Sequence, residues 1–229
     1  MLVTDLTTML QTHQRYLLLD ASSPQIQAGL WYDGRWTAFA SARDHALESL
    51  FATAGEVCAT ADCLPQSVHG YLFCEGPGSV LGIRLAAMAI RTWRALNPEA
   101  VCLAYQSLHA AGQLIKSASL KRPPHLCLIA ESRQRRWNVL DWRQGDPLPE
   151  YHEIDAADWK IPEKTAGWYL PQRQNRLAPP PHFSRCDYDL SGVRADFWDA
   201  PGLLRAVNNP DACCAAPDNY IPWTAERHR

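Results

Sequence analysis

The chain has 229 residues, with 22 basic against 24 acidic side chains, a net charge of −2 and a pI near 6.4. That balance provides no basic field for gripping nucleic acid with this chain alone. Hydrophobic residues make up 47%, enough for a sizeable core. No run approaches the roughly 18 apolar residues of a membrane span. The opening MLVTDLTTMLQTHQR has an early acid and no apolar stretch of secretory-leader length. A cytoplasmic protein with reduced thiols is expected. Neither Cys58 and Cys63 nor the adjacent Cys213 and Cys214 have zinc-ribbon spacing, so the cysteines read as small buried hydrophobes.

In chain order, "RYLLLDASS" (15–23) begins as an apolar run of strand length and stops at Asp20 and two serines. "QIQAGLWYDGRWTAFAS" (25–41) carries Asp33–Gly34, a two-residue hairpin signal between strand-like runs. Ser41 through Asp44 fits a capping box with Asp in place of Glu. Ala46, Leu47, Leu50, Phe51, Ala54, Val57 and Cys58 then fall at helical spacing. A buried strand over 68–73 leads into "CEGPGSVLGIR" (74–84). From there a helix runs to about Leu96, apolar on most sides through Val80, Leu81, Ile83, Leu85, Ala87, Met88, Ile90 and Trp93. A helix apolar all round is deeply buried or faces a partner. Residues 100–104 read as a strand, and Ser107 as the N-cap of a short helix to Ile115.

The order β-β-β-α-β-α-β-α is that of one ribonuclease-H-like half of the actin/Hsp70/sugar-kinase architecture, which carries the unit twice. "LLLDASSPQ" (17–25) and "LCLIAESRQ" (126–134) share Leu, Leu, Ala, Ser and Gln in one frame, and "RRWNVLDW" supplies an aromatic strand after the second. The expected fold is therefore α/β, a duplicated ribonuclease-H-like fold of mixed sheets flanked by helices, with a degenerate second half. Residues 1–14 form an N-terminal extension, 15–121 the first half, and 122–229 the second half with a C-terminal tail. Loops broken by proline are expected at 146–149 and 177–183, a helix over 197–207, and a tail docked by the aromatics of "PDNYIPWTAERHR".

The glycine turn at Gly76, Gly78 and Ser79 can be read two ways. A helix N-terminus behind a glycine turn presents free N–H groups and the positive end of a dipole to an anion. Equally, it is a sharp turn with Ser79 as N-cap and Gly82 permitting close packing. It is neither a P-loop nor the dinucleotide fingerprint. Asp20, with Ser22 behind it, sits where active members of this superfold place an acid for the metal of ATP; otherwise it is a turn former. Catalytic patterns are missing: there is no HExxH and no Gly-x-Ser-x-Gly elbow, and His45 and His109 fall in different helices. Glu48 and Glu56 read as a solvated helix face, and "RQRR" (133–136) as a solvated hairpin tip.

Taken together, "LLLDASS", "RDHALESL", "CEGPGSVLGIRLA" and "SLHAAGQLI" resemble the TsaB (YeaZ) family. The family pattern is a strand ending Asp-Thr-Ser, a helix opening with His, Gly-Pro-Gly-Ser-Phe-Thr-Gly-x-Arg, and Ser-Leu before a helix. The matches are Asp20 and Ser22; His45; Gly76, Pro77, Gly78, Ser79, Gly82 and Arg84; Ser107 and Leu108. Val80–Leu81 replaces Phe-Thr, which removes a hydroxyl from any anion site, and Ala130 replaces the acid that opens the second half.

The resemblance implies a non-catalytic scaffold subunit. It would bind a TsaD-like transferase and support threonylcarbamoylation of adenosine 37 in tRNA, with a TsaE-like ATPase joining the complex and tRNA met only through it. The implied partner interface comprises His45, Leu47, Leu50, Phe51, Val80, Ile83, Arg84, Ala87 and Met88, with Ala86, Ala87 and Ala89, together with Gly82, as small residues for close helix approach. Asp20, Ser22, Gly76, Gly78 and Ser79 would be a vestigial nucleotide site. No cofactor and no metal are required, although ATP or ADP could bind weakly or be shared at the interface. The rival readings are a glycoprotease-type peptidase, a small-molecule kinase of the same superfold, and a stand-alone homodimer built on the same helical face.

Overall fold

The computed structural model describes residues 10, 13–43, 46–118, 123–133, 135–161, 165–172 and 176–212, the side chains of 46 and 47 excepted. The tail expected to dock by its aromatics, 217–229, lies outside them.

The first half opens with an antiparallel meander of β1 (Tyr16–Asp20), β2 (Ile26–Tyr32) and β3 (Arg35–Ala42). Asp33 and Gly34 both take positive φ, 53° and 75°, the backbone a two-residue hairpin needs. Helix α1 (Ala46–Thr60) leads to β4 (Gly70–Gly76), α2 (Val80–Leu96), β5 (Val101–Gln106) and α3 (Ser107–Ala118). This is the order expected from the sequence. β4 is parallel to both β1 and β5, and β1 and β4 are buried along their whole length, as central parallel strands are.

The second half repeats the sheet. β6 (His125–Glu131), β7 (Arg136–Arg143) and β8 (His152–Asp155) form the meander; β9 (Ala166–Leu170) lies parallel to β6, and β10 (Ser184–Arg185) parallel to β9. The strand orders β5-β4-β1-β2-β3 and β10-β9-β6-β7-β8 are equivalent. What is lost is the helices: none is described between β8 and β9 or between β9 and β10. Trp159, Leu177 and Phe183 from those loops instead cover Cys127, Ile129 and Val139 on the outer sheet face.

Side-chain facing corrects the repeat frame. Tyr16 and Leu18 face the layer between the sheets, as do Leu126, Leu128 and Ala130. The strands therefore match at a spacing of 110 rather than 109. A one-residue slip would turn every side chain to the opposite face. In this frame Asp20 corresponds to Ala130.

Three other expectations change. Ser41 is not a helix cap; it lies in β3, paired with Gln27, because the strand runs on past it. Ser107 is the first residue of α3, and its hydroxyl bonds the carbonyl of Pro77. The helix expected over 197–207 is the single turn α4 (Ala195–Trp198), followed by β11 (Arg205–Ala206) antiparallel to β5. Pro201 restricts the residue before it, and Gly202 turns the chain with φ 82°.

The layers run α1 and α2, first sheet, α3, second sheet. The main core lies between the sheets, with α3 buried there along most of its length. A second core lies under α1 and α2. Leu10 also reaches the core, and its carbonyl accepts from Trp31 Nε1 at 2.9 Å.

Candidate functional site

Two features are built from the residues singled out in the sequence: a polar node at the end of β1 and a helical face on α1 and α2.

At the node, Asp20 is fully buried. Its Oδ1 accepts from the backbone N–H of Ser22 at 2.8 Å and from the Ser22 hydroxyl at 2.6 Å. Its Oδ2 accepts from Tyr105 at 2.7 Å and from Tyr188 at 2.6 Å. A carboxylate offers about four lone-pair directions, and here each has a donor. Burial pushes both phenols well above their ordinary pKa, and the charge of Asp20 adds to the shift. Both tyrosines therefore remain protonated donors at neutral pH.

The glycine turn packs directly on this node. The Ser79 N–H donates to the Ser22 carbonyl at 2.8 Å, and a Cβ on Gly78 would overlap that carbonyl oxygen. A Cβ on Gly82 would overlap the carbonyl oxygen of Ala21 in the same way. Ser79 caps α2, its side chain accepting from Gly82 N at 3.3 Å. Gly76 ends β4 with φ 123°, and the Gly76–Pro77 bond is cis. The residues do not fit a metal-bound nucleotide. The carboxylate has no free lone pair, and the turn rests against the β1–β2 connection.

Beside the node, a cavity of 530 Å³ is lined by Glu75, Tyr105, His109, Tyr151 and Arg205, among others. Glu75 is buried and receives Arg205 through both Nε and Nη2. His109 Nε2 lies 2.9 Å from the Pro149 carbonyl, which fixes the proton on Nε2, and burial lowers its pKa below the ordinary value. Among the described residues no group of three or more His, Cys, Asp or Glu is placed to hold a metal ion.

On the helical face, α1 and α2 lie side by side. Phe51 is 48% exposed, Leu81 67% and Met88 60%. Arg84 is exposed between Leu81 and Met88, and Ala52, Gly55 and Ala59 are exposed on α1. Val80 is half-buried. Leu50, Ile83 and Ala87 are buried in the monomer and do not reach this surface. Ala86 and Ala89, named with Ala87 for close helix approach, are buried as well. The apolar residues of α2 thus divide, with Ile83, Ala86, Ala87, Ala89 and Ile90 facing inward and the large Leu81 and Met88 outside. His45 and the side chain of Leu47 lie outside the described residues.

Sequence reading missed Tyr105, Tyr188, Glu75 and Arg205. The one available signal was a tyrosine ending an apolar strand, because a buried phenol needs a partner.

No family model and no curated protein matches the sequence. Among solved structures, YeaZ from Pseudomonas aeruginosa matches with a TM-score of 0.55 at 16% identity, covering 69% of this chain and 75% of that one. A second structure, described as an uncharacterized protein with similarity to peptidase YeaZ from Pseudomonas aeruginosa, matches with a TM-score of 0.54 at 16% identity, over 69% and 74%. No helix among the described residues is long and apolar enough to cross a membrane. The six described cysteines are free thiols. This chain has the fold of YeaZ, a duplicated ribonuclease-H-like α/β architecture with two equivalent mixed sheets, and among the described residues no helix joins β8, β9 and β10 of the second.

Proposed function

We propose that this chain is a TsaB-type scaffold subunit that binds a TsaD-like transferase through α1 and α2 and thereby supports threonylcarbamoylation of adenosine 37 in tRNA. The observation that carries the reading is the exposed face of Phe51, Leu81 and Met88 on adjacent helices of a YeaZ-like fold. Scattered exposed apolar residues need no explanation, but three large ones on two packed helices suit an interaction site. Exposed small residues on α1 let a partner helix come close, and Arg84 gives the patch a polar element that can fix register.

On this reading the chain has no catalytic residue of its own. Asp20 is fully engaged in hydrogen bonds, and tRNA is met only through the complex, which a TsaE-like ATPase joins. The site is cytoplasmic, where tRNA modification takes place.

The experiment is a pull-down with the TsaD-like protein of the same cell, combined with nucleoside mass spectrometry of tRNA after depletion. Capture of the partner and a fall in threonylcarbamoyladenosine are expected. Unchanged modification after full depletion, with no second copy present, would overturn the assignment.

A further inference from the structure

We propose that Asp20 anchors an internal latch: with Tyr105 and Tyr188 it fastens the 186–212 segment across the first half, and is thereby withdrawn from metal and nucleotide. This inference concerns the chain's own architecture and stands whether or not the proposed partner is correct.

The segment is attached through polar groups of the first half, of which Asp20, Gln27 and Glu75 are buried. Tyr188 closes the last lone pair of Asp20. The buried side chain of Gln27 is matched at both ends, Nε2 donating to the Tyr188 carbonyl at 3.3 Å and Oε1 accepting from Leu190 N at 2.7 Å. Trp36 Nε1 donates to the Leu190 carbonyl at 2.8 Å. Farther along, Arg205 meets buried Glu75, and Val207 N donates to the Cys102 carbonyl at 2.9 Å. Arg91 Nε donates to the Pro210 carbonyl at 2.6 Å.

Apolar contacts follow the same path. Leu190, Val193, Phe197 and Trp198 enter the core between the sheets, and Trp198 stands edge-on to Trp31, Trp36 and Tyr105.

An unpaired buried carboxylate is costly, so the segment and the acid depend on each other. A metal ion at Asp20 Oδ2 would have to displace at least one of the two phenols, and displacing Tyr188 would loosen the segment that carries it. The acid that the superfold uses for a ligand serves here to hold the protein's own C-terminal segment.

The test compares wild type, Tyr188→Phe, Asp20→Asn and the double variant. Tyr188→Phe keeps the ring and removes only the donor. It should lower the thermal midpoint and raise amide exchange across 186–212 on the order of tenfold or more, as expected for losing one hydrogen bond to a charge. The double variant should lose less than the two single losses added together. Manganese with ATP at millimolar concentration should leave the wild-type midpoint unchanged. Unaltered exchange in Tyr188→Phe would overturn the latch. So would a wild-type rise with manganese and ATP that Tyr188→Phe enlarges, since the acid would then be open to metal. Should Asp20→Asn fail to fold, Tyr105→Phe takes its place in the cycle.

Discussion

Tyr188 and Asp20 are 168 positions apart in the chain and 2.6 Å apart in the fold. Tyr105, from the end of β5, shares the same carboxylate oxygen. Three separate stretches of sequence therefore meet at one buried carboxylate.

The phenols give this node a signature in alkali. Tyr105 and Tyr188 are held well above the ordinary value of 10, by burial first and the charge of Asp20 second. A group whose folded pKa is raised contributes stability that is complete below its unfolded pKa and is lost as pH rises through the folded one. Stability should thus be steady up to about pH 10 and fall above it. Absorbance at 295 nm should show a class of tyrosines that ionises only as the protein unfolds. Tyr188→Phe should shrink that class. A simple titration near pH 10 for every tyrosine would contradict the node.

His109 provides the opposite sign. Burial lowers its pKa, and its Nε2–H bonds the Pro149 carbonyl. Its neutral form is stabilised in the fold, so its contribution is present above about pH 6.5 and is lost as pH falls below that value. Urea midpoints should drop between pH 7.5 and 5.5. His109→Gln, which can keep a donor to the carbonyl, should make that drop smaller. An equal drop in the variant would assign the pH dependence to other groups.

The β-β-β-α-β-α-β-α order could be read from the sequence because its signals are local. Asp33–Gly34 dictates a hairpin, Ser79 caps a helix, and the apolar runs alternate with turn residues. The sheet of the second half could be read by likeness to the first, though with a one-residue error in the repeat that side-chain facing corrects. The 186–212 segment could not be read. Its elements are a two-residue strand and one helical turn, too short for any period to show, and its stability comes from partners more than 100 residues away. The helical face was half legible. Periodicity showed that α2 is apolar on most sides, but not that Ala86, Ala87 and Ala89 face the sheet while Leu81 and Met88 face out.

The glycine turn makes a prediction about packing. Gly78 and Gly82 touch backbone carbonyls of the β1–β2 connection, so an added methyl has no side chain to push aside. Gly78→Ala and Gly82→Ala should each destabilise by about 2 kcal/mol or more, the range for overpacking a closed site. Gly55→Ala, with nothing near its added carbon and lying on a helix, should stabilise slightly, by about 0.5–1 kcal/mol. Chemical denaturation of the three variants checks the contrast. Equal effects at all three positions would mean that the turn does not press on the connection.

The last prediction concerns the helical face and separates surface from core on one helix. Met88 and Ala87 are neighbours in α2, yet Met88 is 60% exposed and Ala87 is fully buried. Met88→Arg places a charge where water already reaches, so the monomer should keep its fold and its thermal midpoint. In a complex the same charge would be buried without a partner, which costs several kcal/mol and lowers affinity on the order of a hundredfold or more. Leu81→Arg should act likewise, from one end of the exposed stripe. Ala87→Arg forces a charge and a long side chain into the core under the sheet, and should unfold the protein outright. Circular dichroism separates the unfolded variant from the folded ones, and titration of the folded ones against the TsaD-like protein measures association. Wild-type affinity in both Met88→Arg and Leu81→Arg would move the interface off α2 and leave its exposed apolar residues without a role in binding.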